Sequence, residues 1–166
     1  VAVAAHGLLQ RVEGLFIMPS IAVGIGSGVL VGQNLGAGQP ERAEKSAWRA
    51  FLLMESIVAV FAVALLVWPD PVVRLFSTEP ELVATANSFV RIAAAGYLFV
   101  GFFTVFTQSI NGAGDTTATM IISVTSIWAI ALPLAIILPR ATALGVYGVR
   151  WGMTVDFMFN GLVHMI

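Results

Sequence analysis

Long apolar runs without charge dominate this chain and limit what it can fold into. Residues 14–32, 92–110 and 116–139 contain no charged side chain, and residues 50–68 are interrupted only by Glu55. A fifth apolar run begins near Trp151. A helix of about 20 residues crosses a hydrocarbon core, and these runs are continuously apolar instead of alternating with period two. The pattern therefore predicts membrane-spanning α-helices and not barrel strands.

The composition indicates the same class of protein and excludes several others. Apolar residues make up 58% of the chain, charged residues make up 10%, and the mean hydropathy is +0.94. So few polar residues cannot cover a water-facing surface. The net charge of −1 gives no support for nucleic-acid binding, and a chain without cysteine has no disulfide or Cys-ligated metal. We therefore expect an all-α, polytopic integral membrane protein in contact with the lipid bilayer, with no soluble domain, nucleic-acid partner, metal or cofactor.

The predicted organisation is a single partial bundle of about five transmembrane helices. Their approximate bounds are 1–34, 46–68, 79–110, 116–138 and 148–166. Both Val1 and Ile166 stand inside apolar stretches, so we expect the chain to be a fragment of a longer protein. Glu55, close to the start of the second predicted span, is expected at the membrane interface. Arg74, Arg91, Arg140 and Arg150 are expected to flank the spans.

Two Gly-Ala-Gly motifs, at 36–38 and 112–114, predict tight turns between spans. Glycine ends a helix by adopting the left-handed conformation, while Pro40 suits a first turn and Asp115 suits an N-cap. Two further apolar runs separate the motifs, so both turns are expected on the same side of the membrane. The predicted structural loop residues are Gly36, Gly38, Gly112, Gly114 and Asp115.

Polar residues on the predicted helices fall into stripes when they are placed at 100° per residue. Lipid cannot hydrogen-bond these groups, so the stripes face other helices or water. Hydroxyl and amide groups can join helices at about 0.6 kcal/mol each, and glycines at intervals of four let helices approach closely. The stripes comprise His6, Gln10, Glu13, Ser20, Gly24 and Ser27 in the first helix; Tyr97, Gly101, Thr104, Gln108 and Asn111 in the third; Thr119, Ser123, Ser126 and Pro133 in the fourth; and Gly152, Asp156, Asn160 and His164 in the fifth.

Two carboxylates in these stripes are candidates for function. A charge near the bilayer centre costs about 2.5 to 3.5 kcal/mol even on the milder insertion scale. Glu13 and Asp156 therefore need a wet cavity, a proton or a partner, and Arg11 is poorly placed to pair with Glu13 because residues two apart point in nearly opposite directions. Both carboxylates are predicted to face an ion or substrate pathway, although Glu13 could instead lie near the interface.

Several segments together resemble the multidrug and toxic compound extrusion (MATE) transporters. The order and spacing of these motifs are similar to those of the eighth helix of that family, the loop after it, the loop between helices ten and eleven, and the approach to helix twelve. They are Ala5-His6-Gly7, Arg11-Val12-Glu13, Phe16-Ile17-Met18-Pro19, Val31-Gly32-Gln33-Asn34-Leu35-Gly36-Ala37-Gly38-Gln39-Pro40-Glu41-Arg42-Ala43, Ile110-Asn111-Gly112-Ala113-Gly114-Asp115-Thr116 and Leu144-Gly145-Val146-Tyr147-Gly148-Val149.

The resemblance implies a twelve-helix transporter of two bundles, of which this chain supplies most of the C-terminal one and lacks the N-terminal bundle as a partner. Such proteins are antiporters that export cationic or amphiphilic drugs in exchange for Na⁺ or H⁺, from a bacterial or archaeal cell membrane. Where some members carry an intramembrane aspartate in helix ten, this chain has Val100. The predicted pathway residues are Glu13, Gln10, Tyr97, Thr104, Gln108 and Asp156.

Three other functions compete with drug export. A flippase for lipid-linked precursors would show a cavity rich in Arg and Lys, and no charge-free run contains either residue. An intramembrane hydrolase would need a nucleophile and a base within reach, and neither His6 nor His164 lies in such a motif. A structural membrane subunit without transport activity also fits the apolar pattern. We therefore predict a transporter and not an enzyme.

Overall fold

Helices make up nearly all of the secondary structure in the computed structural model, which describes residues 1–164. No strand occurs in that part of the chain. The helices are α1 (Ala2–Gly36), α2 (Pro40–Val67), α3 (Pro69–Arg74), α4 (Pro80–Tyr97), α5 (Thr107–Gly112), α6 (Thr116–Ser126), α7 (Leu132–Ala141) and α8 (Val146–Val163). Two π-helical segments, Phe102–Phe106 and Ile127–Ala131, lead directly into α5 and α7. The predicted all-α membrane bundle is confirmed.

The two Gly-Ala-Gly turns have the same backbone geometry. Gly38 and Gly114 adopt φ values of +69° and +96°, as predicted for glycines that end helices. In the first turn the N–H of Gln39 donates to the carbonyl of Asn34 at 2.8 Å, and in the second Asp115 donates to Ile110 at 3.2 Å. Pro40 and Thr116 then begin the next helices, and Asp115 accepts the N–H of Ala118 at 3.0 Å as an N-cap.

Glycines bring α1 into backbone contact with the π segment Phe102–Phe106 and α5. A Cβ on Gly24 would lie 2.7 Å from the carbonyl oxygen of Thr104, and a Cβ on Gly32 would lie 2.9 Å from that of Gly112. Between them, Gly28 packs on the backbone of Gln108. The spacing of four therefore serves close helix packing, and the two Gly-Ala-Gly turns lie at the same end of the bundle, as predicted.

The third predicted span, 79–110, is not one straight helix. α4 ends at Tyr97, and the helical stretch that resumes at Phe102 is bent from it by 48°. Gly101 lies in this break, where a Cβ would overlap the carboxylate of Glu55 and lie 3.5 Å from its Cα. Glu55 was expected at the membrane interface, and its contact with Gly101 was not predicted. The apolar run continues through this region, so the sequence does not reveal the break in the helix that accommodates the carboxylate.

Three helical stretches are long and apolar enough to cross a membrane, namely 2–36, 40–67 and 116–141, and the bent pair 80–97 with 102–112 would make a fourth. The fifth predicted span, 148–166, corresponds to α8, while residues 165 and 166 lie outside the described residues. α8 carries Arg150 and Asp156 in its interior. It packs on α4 and α7, so its polar residues are shared with neighbouring helices.

The apolar core lies where α1, α2 and α4 meet. Leu9, Val58 and Val90, one from each of these helices, have no measurable exposure. The polar stripe of α1 runs along the same buried face, because Ser20, Gly24 and Ser27 are buried there. The hydroxyl groups of Ser27 and Ser109 lie 2.8 Å apart and form a hydrogen bond between α1 and α5. This is the interhelical hydrogen bonding expected of hydroxyl groups in the stripes.

Candidate functional site

α1, α4 and α8 bring three polar side chains together inside the bundle. The hydroxyl of Tyr97 donates to Oε1 of Glu13 at 2.9 Å, and the guanidinium of Arg150 forms an ion pair with the same oxygen. The exposed fractions of Glu13, Tyr97 and Arg150 are 9%, 1% and 4%. Glu13 and Tyr97 were both predicted pathway residues, and the fold brings them into direct contact.

Arg150 is the partner that Glu13 needs, and the expectation that it flanks a span is wrong. α8 begins at Val146, so Arg150 is already one turn inside the helix and faces α1. A buried carboxylate is destabilising unless an opposite charge and hydrogen bonds compensate it, and here Arg150 and Tyr97 supply both. The predicted fifth helix, 148–166, already contained Arg150, but this residue lies outside the polar stripe of Gly152, Asp156, Asn160 and His164, so the stripe gave no signal for the ion pair.

The surroundings of this ion pair are apolar. The ring of Phe16 packs edge-on against Tyr97 with centroids 4.6 Å apart, and this contact fixes the phenol. A cavity of about 230 Å³ opens beside Arg150 and is lined mainly by apolar side chains, including Phe89 and Met153, with His6 at its wall. The Nε atom of Arg150 is buried and has no hydrogen-bond partner among residues 1–164.

A second polar cluster joins α6 to α8 around Asp156. Ser126, which is fully buried, donates its hydroxyl to Oδ1 of Asp156. The side-chain amide of Asn160 donates to Ser126 Oγ at 2.6 Å and to Asp156 Oδ1 at 3.1 Å. Asp156 therefore lies apart from the Glu13 site and has only neutral partners within the described chain.

The remaining predicted pathway residues do not join either cluster. Gln10 is exposed on α1, whereas Thr104 is buried and donates its hydroxyl to the carbonyl of Val100 within its own helix at 2.8 Å. Gln108 packs against Gly24, where a Cβ would lie 3.2 Å from its Cγ. Of the predicted loop residues, Gly38, Gly114 and Asp115 form the turns described above, whereas Gly36 and Gly112 are the last residues of α1 and α5. Within residues 1–164, no three His, Cys, Asp or Glu side chains lie close enough to hold a metal ion.

The fold and these two intramembrane clusters define a polytopic helical membrane protein with buried charged groups. The chain belongs to the MatE family, whose model matches residues 1–137. Members of this family are transporters and not enzymes, as the sequence predicted. The chain is accordingly part of an integral membrane protein. Arg150 and Asp156 lie beyond the range that the family model matches.

Relatives and solved structures agree with this assignment. The chain is 27% identical over 168 residues to "Probable multidrug resistance protein NorM" of Thermotoga maritima, covering 99% of this chain and 36% of that protein. It is 26% identical over 165 residues to human "Multidrug and toxin extrusion protein 1", covering 99% of this chain and 29% of that protein. It thus spans about a third of the length of the curated relatives it matches.

The fold is similar to that of a solved MATE protein in the bent conformation. The TM-score is 0.88 over 98% of this chain and 36% of that structure, at 22% sequence identity. At this identity the similarity shows the fold alone.

Proposed function

We propose that this chain is part of a cation-coupled antiporter that exports cationic or amphiphilic compounds by alternating access, using Na⁺ or H⁺ as the coupling ion. The relatives are named as multidrug resistance and toxin extrusion proteins, which supports export of small organic compounds. Because the chain spans about a third of their length, the proposal includes a second bundle that completes the transporter. The proposed location is the cell membrane of a bacterium or an archaeon. The relatives include a human protein, so similarity alone does not assign that origin.

The observation that carries the proposal is the compensated carboxylate of Glu13. An ionisable residue inside a membrane span is a functional-site hypothesis by default, and its partner must then be named. Here the partner is Arg150, with Tyr97 as a hydrogen-bond donor to the same oxygen. A proton or a cation that arrives at Glu13 competes with Arg150, so loading the site weakens the contact between α1 and α8. In this scheme, coupling arises because the carboxylate of Glu13 pairs either with Arg150 or with the arriving proton or cation.

The rigid packing of α1 on α5 supports the alternating-access part of the proposal. Gly28 and Gly112 allow these helices to touch along their backbones, so the two segments would move as a unit. Transporters of this kind rock one bundle against another around a site near the midplane. The apolar cavity beside Arg150, with Phe89 and the flexible Met153, offers a surface for an amphiphilic compound.

The flippase alternative receives no support from Arg150. A pyrophosphate group would require cationic side chains whose charge is available, whereas the charge of Arg150 is compensated by Glu13. The alternative of a structural subunit is a possible outcome of the experiment below.

Efflux of a fluorescent organic cation from cells that carry the complete transporter tests the proposal. Glu13→Gln keeps the shape of the side chain but removes its charge, so we expect pH- or Na⁺-driven efflux to fall to the level of cells without the transporter. Glu41→Gln is the matched control, because Glu41 is exposed and pairs with Lys45 on the surface. Unchanged efflux in Glu13→Gln removes Glu13 from the mechanism, and absence of efflux in the unmodified protein favours the structural subunit.

A further inference from the structure

A groove between α1 and the first three turns of α2 is lined by basic side chains and lies apart from the clusters of Glu13 and Asp156. Its volume is about 490 Å³, and no carboxylate within residues 1–164 lines it. The lining residues are Arg42, Lys45, Ser46 and Arg49 on α2 and Asn34 on α1. Residues three and four apart are neighbours on a helix surface, so one face of α2 presents all three positive charges.

The charges of the two arginines are not balanced by an ion pair within residues 1–164. Arg42 donates from Nη1 to Oε1 of Gln39 at 2.7 Å, and this partner is neutral. Lys45 lies 3.8 Å from Glu41, but both side chains are exposed, so solvent weakens this pair. Glu44, the other carboxylate on these turns, lines a neighbouring hollow and not this groove. The groove therefore keeps an excess of positive charge.

Two tryptophans indicate the depth of this groove in the membrane. Trp48 and Trp68 are both exposed and stand at the two ends of the apolar stretch of α2. A helical stretch of about 20 residues spans about 30 Å, which is the thickness of a hydrocarbon core. Tryptophan is enriched at both membrane interfaces. Arg49 directly follows Trp48, so the groove lies at the level of the lipid headgroups.

The same face of α2 is apolar on the membrane side of the groove. Leu53 follows Arg49 by about one helical turn, and Val60 and Val67 follow at further intervals of seven residues. Each of these three apolar side chains is more than half exposed. Positive charge at headgroup depth, continuous with exposed apolar side chains, matches the two parts of a phospholipid. A soluble anion would contact the charges but not the apolar face.

We propose that this groove binds the headgroup of an anionic phospholipid, whose acyl chains lie along α2. The guanidinium groups of Arg42 and Arg49 suit bidentate binding of phosphate oxygens, and Lys45 adds a point charge. Asn34 donates to Oγ of Ser46 at 3.3 Å and so joins the two helices inside the groove. Basic pockets between membrane helices bind anionic headgroups in this way. The site goes beyond the proposed function, because it needs neither an exported compound nor a coupling ion.

Binding of a fluorescent phosphatidylglycerol to the purified complete transporter in detergent micelles tests the site. We expect the unmodified protein to prefer this lipid to phosphatidylcholine, and added salt should weaken the preference. Arg42→Gln and Arg49→Gln should each lower the affinity about fivefold, and the two changes together about 25-fold, because each basic residue near an anionic surface contributes a similar attraction. Arg140→Gln is the matched control, since Arg140 is an exposed arginine at the far end of the stretch 116–141.

The possible results separate this site from the proposed function. Equal affinity of the unmodified protein for the two lipids overturns the site, and so does unchanged affinity when both arginines are replaced. Inorganic phosphate that competes as strongly as the lipid indicates a site for free anions and rejects the lipid. If Arg42→Gln does not give folded protein, Arg49→Gln decides. A preference for phosphatidylglycerol without efflux in the unmodified protein retains the lipid site and rejects the antiporter, whereas efflux without this preference does the reverse.

Discussion

Glu13 and Asp156 are two carboxylates inside the same helical bundle, and their neighbours differ in one respect. Glu13 shares its oxygen between Arg150 and Tyr97, whereas Asp156 is surrounded by Ser126 and Asn160. Both sites use α8, which contributes Arg150 to the first and Asp156 to the second. The first carboxylate is paired with Arg150, while the second accepts side-chain hydrogen bonds only from neutral groups within residues 1–164. The charge of the neighbours distinguishes the sites, and Glu13 is buried whereas Asp156 is partly exposed.

The largest expected effect follows from removing Arg150. Arg150→Gln leaves the buried carboxylate of Glu13 without its counter-charge, and breaking a buried pair in this way costs about 3–5 kcal/mol of stability. Asp156→Asn should lower the free energy of unfolding by much less, because no cationic side chain within residues 1–164 pairs with Asp156. Denaturant titration of the complete protein in detergent measures both values.

A double variant separates charge from side-chain volume. Glu13→Gln combined with Arg150→Gln removes both charges, so it should recover most of the stability lost in Arg150→Gln alone. Equal loss in the single and double variants would mean that packing around residue 150, and not the ion pair, stabilises the α1–α8 contact. The contrast between the two carboxylates would then disappear.

Tyr97→Phe tests the second contact of Glu13. The change removes one hydroxyl and leaves the ring on Phe16, and a hydrogen bond to a charged group contributes about 1.5–3 kcal/mol. We expect a loss in that range in the same unfolding experiment. In the background of Glu13→Gln the loss should shrink toward that of a neutral hydrogen bond. A loss that does not depend on residue 13 would contradict the assignment of the phenol to this carboxylate.

Gly112→Ala asks whether the Glu13 site depends on the close packing of its helix. The added methyl group would meet the backbone of Gly28, and overpacking of this kind costs about 1–3 kcal/mol. Gly26→Ala is the matched control, because a Cβ there meets nothing within 4 Å and alanine favours a helix. Gly112→Ala should also reduce efflux, because the packing of α1 positions Glu13. Unchanged stability and efflux in Gly112→Ala would show that the Glu13 site does not depend on this packing.

The smallest effect is expected at Ser126. Ser126→Ala removes a hydroxyl that donates to the carboxylate of Asp156, but Asn160 still donates to the same oxygen. We therefore expect the free energy of unfolding to fall by about 1.5 kcal/mol, the lower end of the range for a hydrogen bond to a charged group. Denaturant titration in detergent measures this loss, and a loss larger than that of Tyr97→Phe would contradict the contrast between the two carboxylates.

The parts of the fold that could be predicted from the sequence are those set by interactions between residues close together in the chain. Apolar runs located the spans, and Gly38, Gly114 and Asp115 located the turns and the cap, because these signals act within a few residues. The break after Tyr97 was missed because it depends on Glu55 from another helix reaching Gly101. Such a contact leaves no periodic trace in either segment.

The candidate sites show the same limit. The helical stripes placed Glu13 and Asp156 on polar faces, and both carboxylates lie in polar clusters. The stripes did not predict that Arg150 would pair with Glu13, since 137 positions separate the two residues. The position of Arg150 near the start of a helix made a flanking role the simpler expectation. The pathway role of these residues remains a prediction.

The two π-helical segments mark positions where the spans of this protein can tolerate the deletion of one residue. Each π turn contains one more residue than an α turn, so deleting a residue within 102–106 or 127–131 would convert it to α-helix. The helices on both sides would keep their faces toward their neighbours after such a deletion. These are the places in the spans where homologous proteins can gain or lose one residue without rebuilding the bundle. A gap in a comparison of related chains is therefore expected at the depth of Thr104 and directly after Ser126.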